Sequence, residues 1–465
     1  MRDPGRDGVG SKRWGLMGAV GRQAVVLGGS VGGLLAARVL ADSFARVTVI
    51  ERDVLPDGAA TRRGAPQAHH PHALLTKGAH ILDRLFPGLL SALVDHGAPV
   101  WDDGDWSKPY MSIAGHVMLR HGLAAFDHNQ MAMYFPSRPL LEAAIRRRVE
   151  AVDNVDIRDG TDVAELTVTA DRRRVTGVTV TDGDGTASQD LEADLVVDAM
   201  GRSAHTPALL DRLGYGRPDE LHVKSRICYV SQPLQLKHNS LHEMIVNIHP
   251  VPGRPTGMFL TINENDTAIF TVFSIGGNEP PTDLKARIDY AEKYTPAEFF
   301  NAVRAAEPIG NPHRYRIPSS QWRRYDKMRR FPAGLLVSGD AICSFNPIYG
   351  QGMTVSALEA VALQDCLHKG LDNLAQRYFR STAKPISTAW QLATTSDLNF
   401  PETEGARTAM TRIGAKLTER LLTVCETDPV VAAQFFKVSG LIDSPTGLLR
   451  PSIVRRLALP KWRHS

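Results

Sequence analysis

An α/β fold is predicted for this chain of 465 residues. Two observations predict it: near both ends of the sequence apolar strand-like runs pass through glycine-containing turns into helices, and a block of β-rich runs lies between. At the N-terminal end, Gln23 to Leu27 reads as a buried parallel strand, followed by Gly28-Gly29-Ser30-Val31-Gly32-Gly33 and the helical run Leu34 to Ala41. A second strand, Val47 to Ile50, ends in Glu51. Strand, glycine-rich turn, helix, strand and an acid about twenty residues after the glycines is the order of a Rossmann-like dinucleotide-binding unit. The Glu51 carboxylate suits both hydroxyls of an adenosine ribose. Ser30 stands between Gly28 and Gly33 where that pattern has its second glycine. Serine still permits fairly close backbone approach, and its hydroxyl can reach a phosphate. A single turn of this kind occurs in many βα joints; the complete βαβ context favours a dinucleotide.

The distant joint starts with the apolar run Gly334 to Ser338 and continues through Gly339-Asp340. It ends in the loop Pro347-Ile348-Tyr349-Gly350-Gln351-Gly352-Met353 and a helix expected over Thr354 to His368. An acid at a strand end, Asp340, can hold a sugar hydroxyl. A Pro- and Gly-rich loop lets backbone approach a flat ligand. The helix after it offers unpaired N–H groups and the positive end of its dipole. Those provisions suit a flavin, whose N1–C2=O edge becomes anionic on reduction. Between the two joints, Asp194 to Asp198 is a further strand that runs into Ala199-Met200-Gly201-Arg202-Ser203. Ser137 caps a helix reaching Glu150, and Arg138 in its first turn is placed to neutralise a pyrophosphate or to sit in solvent.

Taken together, these segments resemble the FAD-dependent aromatic-hydroxylase superfamily, the fold of p-hydroxybenzoate hydroxylase and squalene epoxidase, over residues 23–368. The resemblance implies a Rossmann-like FAD-binding domain with an inserted β-sheet substrate domain. It implies that the first motif, with Glu51, binds the ADP half of FAD and that Arg63 and Arg138 belong to the cofactor set. By the same resemblance the Val163 backbone meets adenine, and Asp340 contacts the ribityl and pyrophosphate region. Pro347, Gly350, Gly352 and Met353 then run beside the isoalloxazine. Arg62-Arg63-Gly64-Ala65-Pro66-Gln67-Ala68-His69-His70-Pro71-His72 and the Cys-Ser-Phe-Asn-Pro loop look like bacterial epoxidases of polyether antibiotic assembly.

Composition bounds the rest. With 43% hydrophobic residues the chain can bury a large core in two interlocked domains. A net charge of +4 makes no electrostatic case for nucleic acid or for strong attraction to anionic membranes. The four cysteines are dispersed without CxxC spacing, as in a reducing cytoplasm, and no apolar run approaches transmembrane length. The expected organisation is a disordered extension over 1–22 and an FAD-binding domain over 23–205, with a substrate-facing excursion near 100–135. A β-sheet substrate domain follows over 206–330, a second part of the FAD-binding domain over 331–370, and a helical region over 371–465. Val163 to Val168, Val175 to Thr181 and Asp194 to Val197 read as a β-meander, and Arg226 to Val230, Met244 to Ile248, Gly257 to Thr261 and Ala268 to Phe273 as an antiparallel sheet. Thr295 to Ala306 and Leu371 to Ala415 read as helical, and Ser452 to Trp462 as a docked C-terminal helix.

Met258, Phe259, Phe270 and Phe273 can line a greasy pocket, and ordinary core packing accounts for them equally well. His69, His70 and His72 lack helical ligand spacing and a nearby carboxylate or cysteine, so no metal site is expected; His72 is assigned instead to the flavin or substrate. The implied reaction uses O2: reduced, non-covalently bound FAD forms a C4a-hydroperoxide whose distal oxygen is electrophilic. An alkene attacks it without a protein base, whereas a phenol benefits from one. No such base is visible in the substrate segment, which favours epoxidation of a hydrophobic natural product. Aromatic hydroxylation of a polyketide, reduction of isoprenoid double bonds and non-enzymatic flavin binding are the alternatives. One dinucleotide motif is visible, so NAD(P)H visits transiently or a partner flavin reductase delivers electrons. The halogenase signature W-x-W-x-I-P is missing, Arg316-Ile317-Pro318 carrying neither tryptophan.

Overall fold

Five apolar strands form a parallel sheet in the order Leu335–Val337, Leu195–Asp198, Gly21–Leu27, Phe44–Ile50 and Val155–Arg158. The computed structural model describes residues 19–124, 131–183, 185, 187–407 and 409–458, with backbone alone for 409–413 and 415. The central strands carry the apolar runs Ala24 to Leu27 and Leu195 to Val197 because both faces of the sheet are covered; Ala24 to Leu27, Val196 and Val197 are wholly buried. The helices Val31–Ala41 and Gly352–Leu367 lie against each other on one face. Gly33 lets the first of these helices pack on the strand that precedes it. A Cβ at this position would stand 1.9 Å from the Gly28 carbonyl oxygen, so glycine alone lets the helix seat on the strand end. The chain leaves Gly21–Leu27 toward one edge of the sheet, and Leu195–Asp198 lies on its other side. Loops at their C-terminal ends therefore part and open a crevice.

Residues 1–18 of the expected extension lie outside the described residues, and Gly21 and Arg22 already belong to the first strand, Gly21 pairing with Phe44. The meander consists of Thr161–Val168, Val175–Asp182 and Ser188–Glu192. Its expected last member enters the parallel sheet instead, as Leu195–Asp198. The true edge strand was hard to see because its Ser-Gln-Asp-Leu-Glu sequence is almost wholly polar and solvated.

The second sheet has eight strands. Its centre is Ile227–Gln235, Thr267–Ser274, Thr256–Ile262 and Ile245–Ile248, each antiparallel to the next, in agreement with the four β-rich runs. Pro109–Ile113, from the excursion near 100–135, pairs in parallel with Ile245–Ile248. One face is covered by the helices Leu284–Ala291 and Phe299–Arg304. The second of these is shorter than the expected Thr295 to Ala306, and the first, capped by Asp283 accepting from the Ala286 N–H, was not anticipated. Among the described residues four helices follow: Leu374–Asp397, Ala409–Cys425, Pro429–Ser439 and Pro451–Ala458. The expected helical region breaks after Asp397, near Pro401 and Gly405, and the last helix docks through buried Ile453. Among the described residues no helix is long and apolar enough to cross a membrane.

Candidate cofactor and substrate site

A cavity of about 1270 Å³ opens at the crevice and runs from the parallel sheet to the face of the second sheet opposite its two covering helices. Its first end is polar. Gly28, with φ of 100°, turns the chain so that Ser30, Val31 and Gly32 bring the N-terminus of the Val31–Ala41 helix to the cavity wall. Glu51, at the end of the neighbouring strand, accepts hydrogen bonds from the Gly29 N–H at 2.8 Å and the Asp53 N–H at 3.0 Å. The acid assigned to a ribose thus also ties the glycine turn to the second strand.

Beside it lies Arg62, buried among carboxylates: Glu142 at 2.8 Å, Asp53 at 3.1 Å and Glu51 at 3.2 Å. Neighbouring Arg63 is exposed at the cavity edge. The resemblance named Arg63 for the cofactor set and not Arg62, whose partner Glu142 lies 80 residues away; both border the cavity. Arg138 is buried in the first turn of the Arg138–Glu150 helix, which Ser137 caps by accepting from the Leu140 N–H, and it too borders the cavity. Val163 lines the same end with Thr161 and Asp162. Gly33 does not reach the cavity; its role is the packing described above.

Further in, Asp340 opens onto the cavity. Desolvation raises its proton affinity, opposed by the charges of Arg202 and Arg138. Behind it, wholly buried Glu359 accepts from the Gly339 N–H at 2.6 Å and the Ser338 hydroxyl at 3.1 Å. The loop from Pro347 to Met353 borders the cavity as far as the N-terminus of the Gly352–Leu367 helix, which starts two residues before the expected Thr354. Asn346 shapes this loop: its side chain accepts from the Ile348 N–H at 3.1 Å and donates to Asp397 at 2.8 Å, where the Tyr349 hydroxyl also donates at 2.8 Å. Cβ atoms at Gly350 and Gly352 would meet nothing within 4 Å, so the side of the turn they occupy is open.

These groups fit FAD. Two helix N-termini and Arg138 suit a diphosphate, Glu51 and Asp340 suit hydroxyl-bearing groups on either side of it, and the open glycines suit a flat ring. The buried Arg62 Nη2 without a partner is one more donor at this end.

The other end is apolar and aromatic. Strand alternation sends Ile245, Asn247, His249, Phe259 and Thr261 into the cavity, with Met111 and Ile113 from the parallel neighbour. Trp101, Met133, Phe135, Leu422 and Phe436 complete the walls. Met258 and Phe270 are placed elsewhere. They fall on the opposite phase of the same strands and pack with Phe299 and Phe300 under the covering helices. Phe259 is the aromatic of that group that lines the cavity; Phe273 stacks behind it, with ring centroids 5.0 Å apart.

His72 borders the cavity, its Nδ1 2.8 Å from the His70 carbonyl, and burial together with Arg138 lowers its pKa to about 3. His70 lies 2.7 Å from the Ser231 hydroxyl through Nδ1, and burial lowers it also to about 3. His249, edge-on to Tyr349, is lowered by burial to about 4. All three are neutral imidazoles at pH 7. His69 stacks on His313 at 3.5 Å, and among the described residues no group of three or more His, Cys, Asp or Glu side chains could hold a metal ion.

No family model matches the chain. Among solved structures it resembles PqsL, a probable FAD-dependent monooxygenase from Pseudomonas aeruginosa, with a TM-score of 0.58 and 17% identity over 81% of this chain and 97% of that one. It also resembles the p-nitrophenol 4-monooxygenase PnpA from Pseudomonas putida, with a TM-score of 0.59 and 16% identity over 91% and 99%. The fold is therefore that of the FAD-binding flavoprotein monooxygenases of the p-hydroxybenzoate hydroxylase type. In sequence the chain is 38% identical to Protein Rv3254 of Mycobacterium tuberculosis across 437 residues, 90% of each protein. At this identity and coverage the chain belongs to the same family as Protein Rv3254.

Proposed function

We propose that the protein is an FAD-dependent monooxygenase that transfers one oxygen atom of O2 to a hydrophobic small molecule, by epoxidation of an alkene. The observation that carries this reading is the continuity of the cavity from the Ser30–Glu51–Arg138 end, past the open Gly350–Met353 turn, into the apolar chamber. The polar end holds a dinucleotide through helix N-termini and arginines. The N-terminus of the Gly352–Leu367 helix, at the cavity wall, would stabilise negative charge on a bound ring. When bound and reduced, FAD supplies the activated oxygen. The chamber walls keep water from it and hold an apolar substrate alongside.

Epoxidation is preferred because the imidazoles lining the chamber are weak bases, and an alkene needs none. Electrons come from NAD(P)H or from a partner reductase. Purified protein should release yellow FAD on acid precipitation, and flavin left in the pellet would contradict non-covalent binding. Oxygen and NAD(P)H consumption measured with apolar alkenes and with aromatics separates the readings. Epoxide formation is expected; double-bond reduction without oxygen uptake would overturn the proposal.

Glu51→Ala should weaken FAD binding by about 2–3 kcal/mol, roughly 30- to 150-fold in Kd, through loss of charge-assisted bonds to the ribose. Equilibrium titration of the apoprotein checks this, and an unchanged Kd would mean that Glu51 serves only the Gly29 turn.

A further inference from the structure

The chamber face of the second sheet carries two polar side chains that the protein leaves unsatisfied. Asn247 is 8% exposed and Thr261 1%, and both border the cavity. The Asn247 side-chain oxygen and the Thr261 hydroxyl are buried without a hydrogen-bond partner. Around them the wall is apolar, formed by Met111, Ile113, Ile245 and Phe259. A buried polar group without a partner is costly, and native structures hold few of them. These two are also neighbours. Ile245 pairs with Thr261 and Asn247 with Phe259, so Asn247 and Thr261 sit diagonally on adjacent strands. Diagonal neighbours lie roughly 7–8 Å apart, their Cβ atoms somewhat closer, a gap that one oxygen atom bridges.

We propose that Asn247 and Thr261 form a specificity site for a hydroxyl group on an otherwise apolar substrate. A hydroxyl donates one hydrogen bond and accepts others. It can therefore give its proton to the Asn247 oxygen and accept from the Thr261 hydroxyl. The substrate class is accordingly a hydroxylated hydrophobe rather than a bare hydrocarbon. Anchored at this wall, the molecule has its apolar remainder held within the chamber. The inference rests on the reading of this chamber as the substrate site.

The test uses the full chain loaded with FAD and three matched pairs: decanol and decane, 2-naphthol and naphthalene, farnesol and farnesene. Binding is followed by tryptophan fluorescence and flavin absorbance. In at least one pair the alcohol should bind on the order of tenfold more tightly than its hydrocarbon. Asn247→Leu with Thr261→Val should abolish that preference while hydrocarbon binding stays or improves. Equal binding within all three pairs, or a preference that survives in the double variant, overturns the proposal.

A second measurement needs no ligand. Thr261→Val should leave the melting temperature unchanged or raise it, because the hydroxyl makes no internal bond; a fall would show a structural role and also overturn the site. Flavin content and oxygen uptake of the unsubstituted protein are recorded alongside. Protein without flavin would remove the monooxygenase reading and leave the alcohol preference to stand or fall by its own titrations.

Discussion

Arg62→Met is expected to lower the free energy of unfolding by about 3–5 kcal/mol, the cost of removing one partner from a buried ion cluster. Arg62 is 9% exposed and faces Glu51, Asp53 and Glu142 within 3.2 Å. Burial works against its charge, and the carboxylates more than restore it, so its pKa stands above the ordinary arginine value. Methionine fills much of the same volume and leaves Glu51 and Asp53 without a counterion, while Glu142 keeps only its longer contact to Arg138 at 3.5 Å. The cluster joins the second strand of the parallel sheet to the Arg138–Glu150 helix, so both lose their tether together. Arg62→Lys should recover only part of the loss, because one ammonium cannot copy the guanidinium fork. Denaturant unfolding at pH 7 checks the magnitude. A loss below about 1 kcal/mol would mean that water enters and solvates the carboxylates.

Glu359→Gln should change how stability depends on pH. Burial pushes the Glu359 carboxyl up to about 8, against an ordinary value of 4.5, even though the Gly339 N–H bond pulls it down. Between those two values the folded protein keeps a proton that the unfolded chain has released. Stability contributed by this group is therefore lost as pH rises from about 4.5 to about 8, by up to ~1.4 kcal/mol per pH unit. Glutamine still accepts from Gly339 and Ser338 and does not titrate. The variant should gain on the unsubstituted protein through this window, and melting curves at half-unit steps measure it. Parallel pH profiles would show that Glu359 is ionised in the native state.

Features with a local cause were legible in the sequence. The buried strand Ala24 to Leu27, its glycine turn and the acid after the next strand follow from neighbours a few residues apart. The capping of the Arg138–Glu150 helix by Ser137 was equally local. What escaped depends on distant partners. Arg62 and Arg63 are adjacent and chemically alike, yet the first is buried among carboxylates that include Glu142, 80 residues on, and the second is exposed. Asp397 and Glu359 sit inside ordinary helical patterns; their work under the Asn346 loop and the Gly339 turn comes from tertiary contact. Met258 and Phe270 were half legible. Alternation showed that their strands had two faces, but which phase met the helices depended on Leu284–Ala291, a helix the sequence reading did not find.

That alternation also bears on how such a protein can diversify. In Thr256–Ile262 the residues Met258 and Leu260 hold the sheet to its helices, while Phe259 and Thr261 look into the chamber. Odd and even positions of one short strand therefore meet different packing demands. A lineage can exchange the second set for a new compound without disturbing the first, one point mutation at a time. Laboratory libraries confined to Ile245, Asn247, Phe259 and Thr261 should thus yield folded variants with altered appetite far more often than libraries spread evenly along the same strands.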